Sequence, residues 1–87
     1  MKTLALIPHY NHPTTISHVA QTMRGFGLNV LIVDDGSREE CKPVLQALVS
    51  EGINVLYRPI NGGKGAAVKT GLEYAQEHGY PHVLQVD

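Results

Sequence analysis

Two adjacent carboxylates are the most conspicuous chemical feature of this sequence. Asp34 and Asp35 directly follow the apolar run Val30–Val33 and precede Gly36 and Ser37. One aspartate would fit ordinary turn chemistry, but two adjacent carboxylates repel each other. At least one of them therefore needs a hydrogen-bond donor or a cation as its partner. A base imide N–H or a ribose hydroxyl would be such a donor, so the pair predicts a contact with a polar ligand.

A glycine-rich segment with a lysine is the second candidate. It reads Asn-Gly-Gly-Lys-Gly over residues 61–65 and lies between a predicted strand and a predicted helix. Backbone N–H groups of such a segment can approach an anion at the positive end of a helix, and Lys64 adds a cation. It is not a P-loop, because no Ser or Thr follows the lysine. Gly62 and Gly63 by themselves could simply give the helix a flexible start. The lysine that follows them, Lys64, favours the binding of a diphosphate.

The loop after the first apolar run contains an aromatic residue and two histidines. The Tyr10 ring could stack on a base, close a pocket or pack on its neighbours. His9 and His12 share this loop, but His18 lies on another element and no acidic residue accompanies the three. We therefore do not expect these histidines to bind a metal.

Four apolar runs alternate with three segments of helical periodicity, and these elements must position the candidate residues. The runs, which we predict to be strands, are Thr3–Ile7, Asn29–Val33, Ile53–Tyr57 and His82–Val86. The predicted helices begin near Thr14, Lys42 and Gly65 and end before Gly27, Gly52 and Gly79. We place Pro43 in the first turn of the second helix. The periodicity assigns Phe26, Val49 and Leu72 to the buried helix faces.

This order of elements predicts a Rossmann-like three-layer α/β/α fold with a parallel sheet in the order 3-2-1-4. Residues 1–87 would form one small domain. Ligands bind beyond the carboxyl ends of such strands, and every predicted strand ends near polar or glycine-rich residues. The last strand stops at Asp87 without a cap or covering helix, so we expect the domain to continue beyond this sequence.

Composition excludes several classes of protein. Seven Lys and Arg against eight Asp and Glu leave a net charge of −1, which does not suggest a nucleic-acid partner. Cys41 is the single cysteine, so no internal disulfide forms and a reducing compartment is expected. The apolar run near the N-terminus is too short for a signal peptide, and no run approaches the roughly 18 apolar residues of a membrane span. We expect a soluble cytoplasmic chain.

Four motifs together resemble the N-terminal half of family 2 glycosyltransferases, and most closely the branch of polyprenyl- and dolichyl-phosphate sugar synthases. The motifs occur in the family's order and spacing across essentially the whole chain. They are Ile7–Asn11, Val33–Ser37, Asn61–Ala67 and Val86–Asp87. The resemblance implies the GT-A fold and transfer of a sugar, with inversion, from a UDP- or GDP-linked donor. It also implies a divalent metal, Mg²⁺ or Mn²⁺.

The resemblance assigns roles to particular residues. Pro8 and Tyr10 would flank the base, and Asp35 would hydrogen-bond uracil or guanine. Asp34 would support the ribose side. The base and diphosphate region would be lined by Gly63 and Lys64. Asp87 would be the first aspartate of a D-x-D element that binds the ribose and, through its later aspartate, the metal.

The family's catalytic base lies in an acceptor half that this sequence does not contain, so no residue here is assigned as catalytic. We expect the 87-residue chain alone to be inactive and to self-associate through exposed sheet surfaces. The acceptor stays open, with a lipid-linked phosphate as one candidate. Membrane association would depend on regions outside this sequence.

Two other functions fit part of the pattern. A dinucleotide-binding oxidoreductase would use the glycine-rich segment and the acidic end of the next strand, but Val68 replaces the third glycine and Asp34 and Asp35 have no role. A receiver-like signalling domain also has an acidic pair at a strand end. In such a domain the pair follows the first strand, whereas here that strand ends in Pro8 and His9.

Overall fold

The computed structural model describes residues 2–86 as a four-stranded parallel sheet with helices on both faces. In chain order the elements are β1 (Thr3–His9), α1 (Pro13–Gly25), β2 (Asn29–Asp35), a short 3-10 helix (Glu39–Cys41), α2 (Lys42–Ser50), β3 (Asn54–Arg58), α3 (Lys64–Glu77) and β4 (His82–Gln85). The strands lie in the order β3-β2-β1-β4, which confirms the predicted order and the α/β fold. No helix among the described residues is long and apolar enough to cross a membrane.

The two faces of the sheet carry separate cores, because successive side chains of a strand point to opposite faces. The core beneath α1 and α2 contains Ala5, Ile7, Ile16, Ala20, Val30, Ile32, Leu45, Leu48 and Ile53. The core beneath α3 contains Leu4, Leu6, Leu31, Val33, Ala67 and Ala75. Both central strands are thus buried on both sides, as their unbroken apolar runs predicted.

The central strands extend two residues further than predicted, to His9 and Asp35. In the ladder His9 is the register partner of Asp34, and Asp35 is the register partner of Arg58. His9, Asp34 and Asp35 are all buried, with at most 5% of each residue exposed. We predicted the ends at Ile7 and Val33 because polar residues commonly mark loops. Here the polar residues stay in the strands because their side chains find partners across the ladder.

The start of α2 agrees with the prediction. A 3-10 helix over Glu39–Cys41 precedes it, and Pro43 lies in its first turn, where a missing N–H costs no helical hydrogen bond. Cys41, the last residue of this 3-10 helix, is buried. The hydroxyl of Ser37 does not cap this helix but donates to Asp34.

Three residues assigned to buried helix faces are exposed instead. Phe26 lies beyond the end of α1 with 72% of its surface exposed, and Val49 and Leu72 are each 48% exposed. In α3 the buried positions are Ala67, Gly71 and Ala75. A Cβ added at Gly71 would overlap the side chain of Leu6, so glycine permits close approach of the helix to the sheet. Periodicity predicted that the larger Leu72 would face the sheet, but α3 packs against the sheet through its small residues.

Candidate functional site

A cavity of about 250 Å³ lies beyond the carboxyl ends of β1 and β2, beside the start of α3. Most of the predicted binding residues line it together: Pro8, Tyr10, Asp35, Gly63 and Lys64. The rest of the lining comes from His9, Asn61 and Ala67. The structure thus brings residues from the end of β1, the end of β2 and the start of α3 to one place at the expected edge of the sheet.

Asp35 connects the end of β2 to the glycine-rich segment. Its Oδ1 accepts a hydrogen bond from Arg58 Nε at 2.9 Å, and its Oδ2 accepts one from the Gly63 N–H at 2.8 Å. The Gly62 N–H lies 3.1 and 3.2 Å from the two carboxylate oxygens. The carboxylate therefore holds the segment before α3 against the sheet, on the side where the cavity opens.

The same contacts set the acidity of Asp35. Burial by itself would raise the pKa of this carboxyl, but the hydrogen bonds from the Gly62 N–H, Arg58 and the Gly63 N–H, together with the charge of Arg58, outweigh it. The pKa consequently lies below its ordinary value of 3.8. Asp35 is thus a carboxylate at neutral pH, in spite of its burial.

Asp34 lies on the opposite face of the sheet, because adjacent strand residues alternate. It does not line the 250 Å³ cavity but a second one of about 590 Å³ near Ser37, Lys42 and Tyr57. Its Oδ1 is 2.9 Å from His9 Nδ1 and accepts a hydrogen bond from Ser37 Oγ at 2.5 Å. Asp34 therefore does not contact the predicted site directly, and its partners are protein groups.

His9 links Asp34 to the loop that carries Tyr10. Its Nε2 accepts a hydrogen bond from the His12 N–H at 3.1 Å, so the hydrogen-bond network assigns the ring proton to Nδ1, which donates to Asp34. In the same loop the Asn11 N–H donates to Ser37 Oγ at 2.9 Å. Asn11 has a φ of 53°, a conformation that asparagine tolerates better than most residues. These contacts hold the loop, and with it Tyr10, at the edge of the cavity.

The start of α3 gives the cavity a positive side. Gly63 precedes the helix with a φ of 89°, a left-handed conformation that suits glycine. Gly63 and Lys64 both line the cavity, so the helix N-terminus lies beside it with its partial positive charge. A helix N-terminus together with a lysine suits a phosphate group.

The sequence interpretation missed the roles of His9 and Arg58. His9 was interpreted as a loop histidine without an acidic companion, and Arg58, one residue beyond the predicted third strand, received no role. The predicted strand order contained the missing signal, because it places the end of β1 beside Asp34 and the end of β3 beside Asp35. Polar residues at the ends of neighbouring strands are the natural partners of a buried carboxylate.

Metal ligands are not found in the part of the chain that the structure describes. Within residues 2–86, no three side chains of His, Cys, Asp or Glu converge in a group that could hold an ion. Asp34 and Asp35 line different cavities on opposite faces of the sheet, so the two carboxylates do not form a metal site together. Asp87, the residue predicted to contribute to metal binding, lies outside the described residues.

Comparison with known proteins finds two curated relatives that match nearly the whole chain. The chain is 27% identical to polyprenol monophosphomannose synthase of Mycolicibacterium smegmatis over 99% of its own length and 34% of that protein. It is 25% identical to an uncharacterised protein of Methanocaldococcus jannaschii, over 97% of its own length and 38% of that protein. The chain thus spans little more than a third of the curated relatives it matches.

The fold also matches a solved glycosyltransferase structure. The mannosyltransferase PcManGT from Pyrobaculum calidifontis, in complex with GDP-Man and Mn²⁺, superimposes with a TM-score of 0.74 at 18% identity. The match covers 85% of this chain and 24% of that enzyme. At this identity the likeness supports the fold alone.

The family itself is shown by a match that covers most of the chain. The model of glycosyl transferase family 2 matches residues 5–83, which include the aspartate pair and the glycine-rich segment. This match decides against both the dinucleotide-binding oxidoreductase and the receiver-like signalling domain. The chain belongs to glycosyl transferase family 2.

Proposed function

We propose that this chain is the donor-binding region of a glycosyltransferase and that its 250 Å³ cavity takes the nucleoside diphosphate of a sugar donor. One observation carries the proposal: Pro8, Tyr10, Asp35, Gly63 and Lys64 come from three separate parts of the chain, yet they line the same cavity. An aromatic ring suits a base, and a helix N-terminus with a lysine suits a diphosphate. The cavity therefore offers both kinds of contact that a nucleoside diphosphate requires.

GDP-mannose is the first donor to test. PcManGT is described in complex with GDP-Man, and the Mycolicibacterium smegmatis relative is named as a polyprenol monophosphomannose synthase. A UDP-linked donor fits the same arrangement of groups. We propose a lipid-linked phosphate as the acceptor class, on the basis of the name of the Mycolicibacterium smegmatis relative.

The two aspartates would serve the donor differently. Asp35 lines the cavity and anchors the glycine-rich segment, so it would act at the base. Asp34 would act indirectly on the ribose side, by holding His9 and the loop that carries Tyr10. Both roles agree with those that the family resemblance implies. For Asp34, the contacts through His9 also suggest how it would support the ribose side.

Transfer itself would need groups that the described residues do not supply. We propose that a complete protein of this family acts with inversion and uses a divalent metal, which would neutralise the charge of the leaving diphosphate. The metal would be held through the later aspartate of the D-x-D element that Asp87 begins, in a longer chain. A base that removes the acceptor proton would also have to come from such a longer chain. The 87-residue chain alone is therefore expected to bind nucleotide without transferring sugar.

Nucleotide binding can be tested by thermal unfolding of the chain with GDP, UDP, GDP-mannose or NAD. A ligand at about 100 times its Kd stabilises the folded state by about 2.7 kcal/mol, which raises the melting temperature measurably. We expect a rise with GDP or UDP and none with NAD. A shift with NAD alone, or no shift with any nucleotide at millimolar concentration, would overturn the proposal.

A further inference from the structure

Arg58 connects three parts of the molecule that meet beside the cavity. It is the last residue of β3, and its Nε donates to Asp35 Oδ1 at 2.9 Å. Its Nη1 donates to Thr70 Oγ1 at 2.8 Å, and the Thr70 hydroxyl donates in turn to the Ala66 carbonyl at 3.1 Å. A single guanidinium thus ties the end of β2 to the first half of α3.

The same guanidinium packs against the glycine-rich segment. A Cβ added at Gly62 would lie 2.7 Å from Arg58 Nη2 and 3.0 Å from the Cβ of Ala66. As long as Arg58 keeps this position, only glycine fits at position 62. Gly62 and Gly63 also donate their N–H groups to Asp35, so the arginine, the carboxylate and the two glycines form one packed unit.

Asp35 depends on this arginine because its carboxylate is buried. The residue is 3% exposed, whereas the Arg58 side chain is 28% exposed and keeps access to water. A buried carboxylate is costly unless a cation and hydrogen bonds compensate for the lost hydration. Without Arg58, two backbone N–H groups would have to compensate alone. We expect the carboxylate to move toward water and the Gly62–Gly63 segment to move with it.

We propose that Arg58 is a positioning residue for the donor: it holds Asp35 and the Gly62–Gly63 segment in the geometry that the nucleotide meets. This inference rests on the proposed function, because the segment matters only if a nucleotide binds beside it. Arg58 does not line the 250 Å³ cavity, so it acts through groups that do. Lysine would not replace it, because an ammonium cannot reproduce the fixed fork that contacts Asp35 and Thr70 together.

The test compares Arg58→Met with a matched arginine variant, Arg38→Met. Arg38 forms an ion pair with Glu40 at 3.1 Å, and its side chain is 68% exposed, so its loss should have little effect. We expect the Kd for GDP or UDP, measured by calorimetry, to rise roughly tenfold or more in Arg58→Met. In Arg38→Met it should stay within about twofold of wild type.

A second readout separates positioning from general destabilisation. Amide hydrogen exchange at Gly62 and Gly63 should accelerate in Arg58→Met, while exchange at Leu6 in the middle of β1 should be little changed. Thr70→Val removes one of the two anchors of Arg58, and we expect a smaller acceleration at the same two glycines. An equal acceleration at Leu6 would instead indicate loss of stability throughout the chain and would contradict a local role.

Several outcomes would overturn the inference. One is a folded Arg58→Met protein whose Kd for GDP and UDP lies within twofold of the wild-type value. Another is unchanged amide hydrogen exchange at Gly62 and Gly63 in that variant. If Arg58→Met does not fold, the nucleotide affinity of Arg58→Lys is measured instead. A wild-type Kd for GDP or UDP in Arg58→Lys would contradict the inference. If the wild-type chain binds neither nucleotide, the proposed function fails separately, and glycine exchange still decides whether Arg58 holds the segment.

Discussion

Asp34 and Asp35 are adjacent in the chain, yet their carboxylates lie on opposite faces of the sheet and hold different loops. Asp34 contacts His9 Nδ1 at 2.9 Å, and His9 holds the loop after β1. Asp35 contacts Arg58 Nε at 2.9 Å and holds the segment before α3. Alternation along a strand separates the two charges, so each can have its own donors. The predictions below follow from this division.

Replacing Asp35 should weaken nucleotide binding more than replacing Asp34. Asp35→Ala removes a lining group and the anchor of the glycine-rich segment, whereas Asp34→Ala acts only through the loop after β1. Loss of a hydrogen bond to a charged group typically costs about 1.5–3 kcal/mol, and we expect a loss in this range for Asp35→Ala. Calorimetry with GDP and UDP on both variants measures the difference. Equal or reversed losses would contradict the assignment.

Acid should destabilise the chain partly through Asp35. Its pKa is lower in the folded chain than the ordinary value of 3.8, so its stabilising contribution is fully present above that value. The contribution is lost as the pH falls through the lower, folded-state pKa. Urea unfolding from about pH 6 down to pH 2 should show a steeper loss of stability in wild type than in Asp35→Asn. Parallel curves for the two proteins would show that Asp35 is not responsible.

Removing the imidazole of His9 should destabilise the fold. His9→Ala deprives the buried Asp34 carboxylate of one donor and deprives the His12 N–H of its acceptor. We expect a loss of about 2–3 kcal/mol in the free energy of unfolding. His18→Ala is the matched control, because His18 lies exposed on α1. A similar loss in both variants would mean that the Asp34 contact contributes little.

Two glycines of α3 should respond oppositely to alanine. At Gly71 a Cβ would overlap Leu6, and overpacking of this kind typically costs about 1–3 kcal/mol. At Gly65 no heavy atom lies within 4 Å of the added Cβ, so alanine should be neutral or stabilising by up to about 1 kcal/mol through helix propensity. Chemical denaturation of the two variants tests this. A stable Gly71→Ala protein would show that α3 can move away from the sheet.

The chain ending at Asp87 should self-associate and should not transfer sugar. β3 and β4 are the outer strands of the described sheet, and Leu84 on β4 is 46% exposed. Exposed strand edges and apolar surface favour pairing with a second copy. Light scattering and a sugar-transfer assay with Mn²⁺ measure the two properties. A monodisperse monomer would contradict the first expectation, and metal-dependent transfer would contradict the second.

Much of the fold could be predicted from local patterns in the sequence. Alternating apolar runs and helical periods predicted four parallel strands in the order β3-β2-β1-β4, because crossovers between parallel strands have one preferred hand. The strand order in turn placed Tyr10, Asp35 and Lys64 at one edge of the sheet. Pro43 was likewise sufficient to place the start of α2, since its backbone nitrogen carries no proton.

Other features were decided only by the tertiary structure. Periodicity could not choose between Gly71 and the larger Leu72, because the distance between α3 and β1 depends on which side chains meet there. The partners of the two aspartates were also hidden, since His9 and Arg58 are 25 and 23 residues distant in the chain. Burial makes a carboxylate require donors, but only the register of the neighbouring strands determines which donors are within reach.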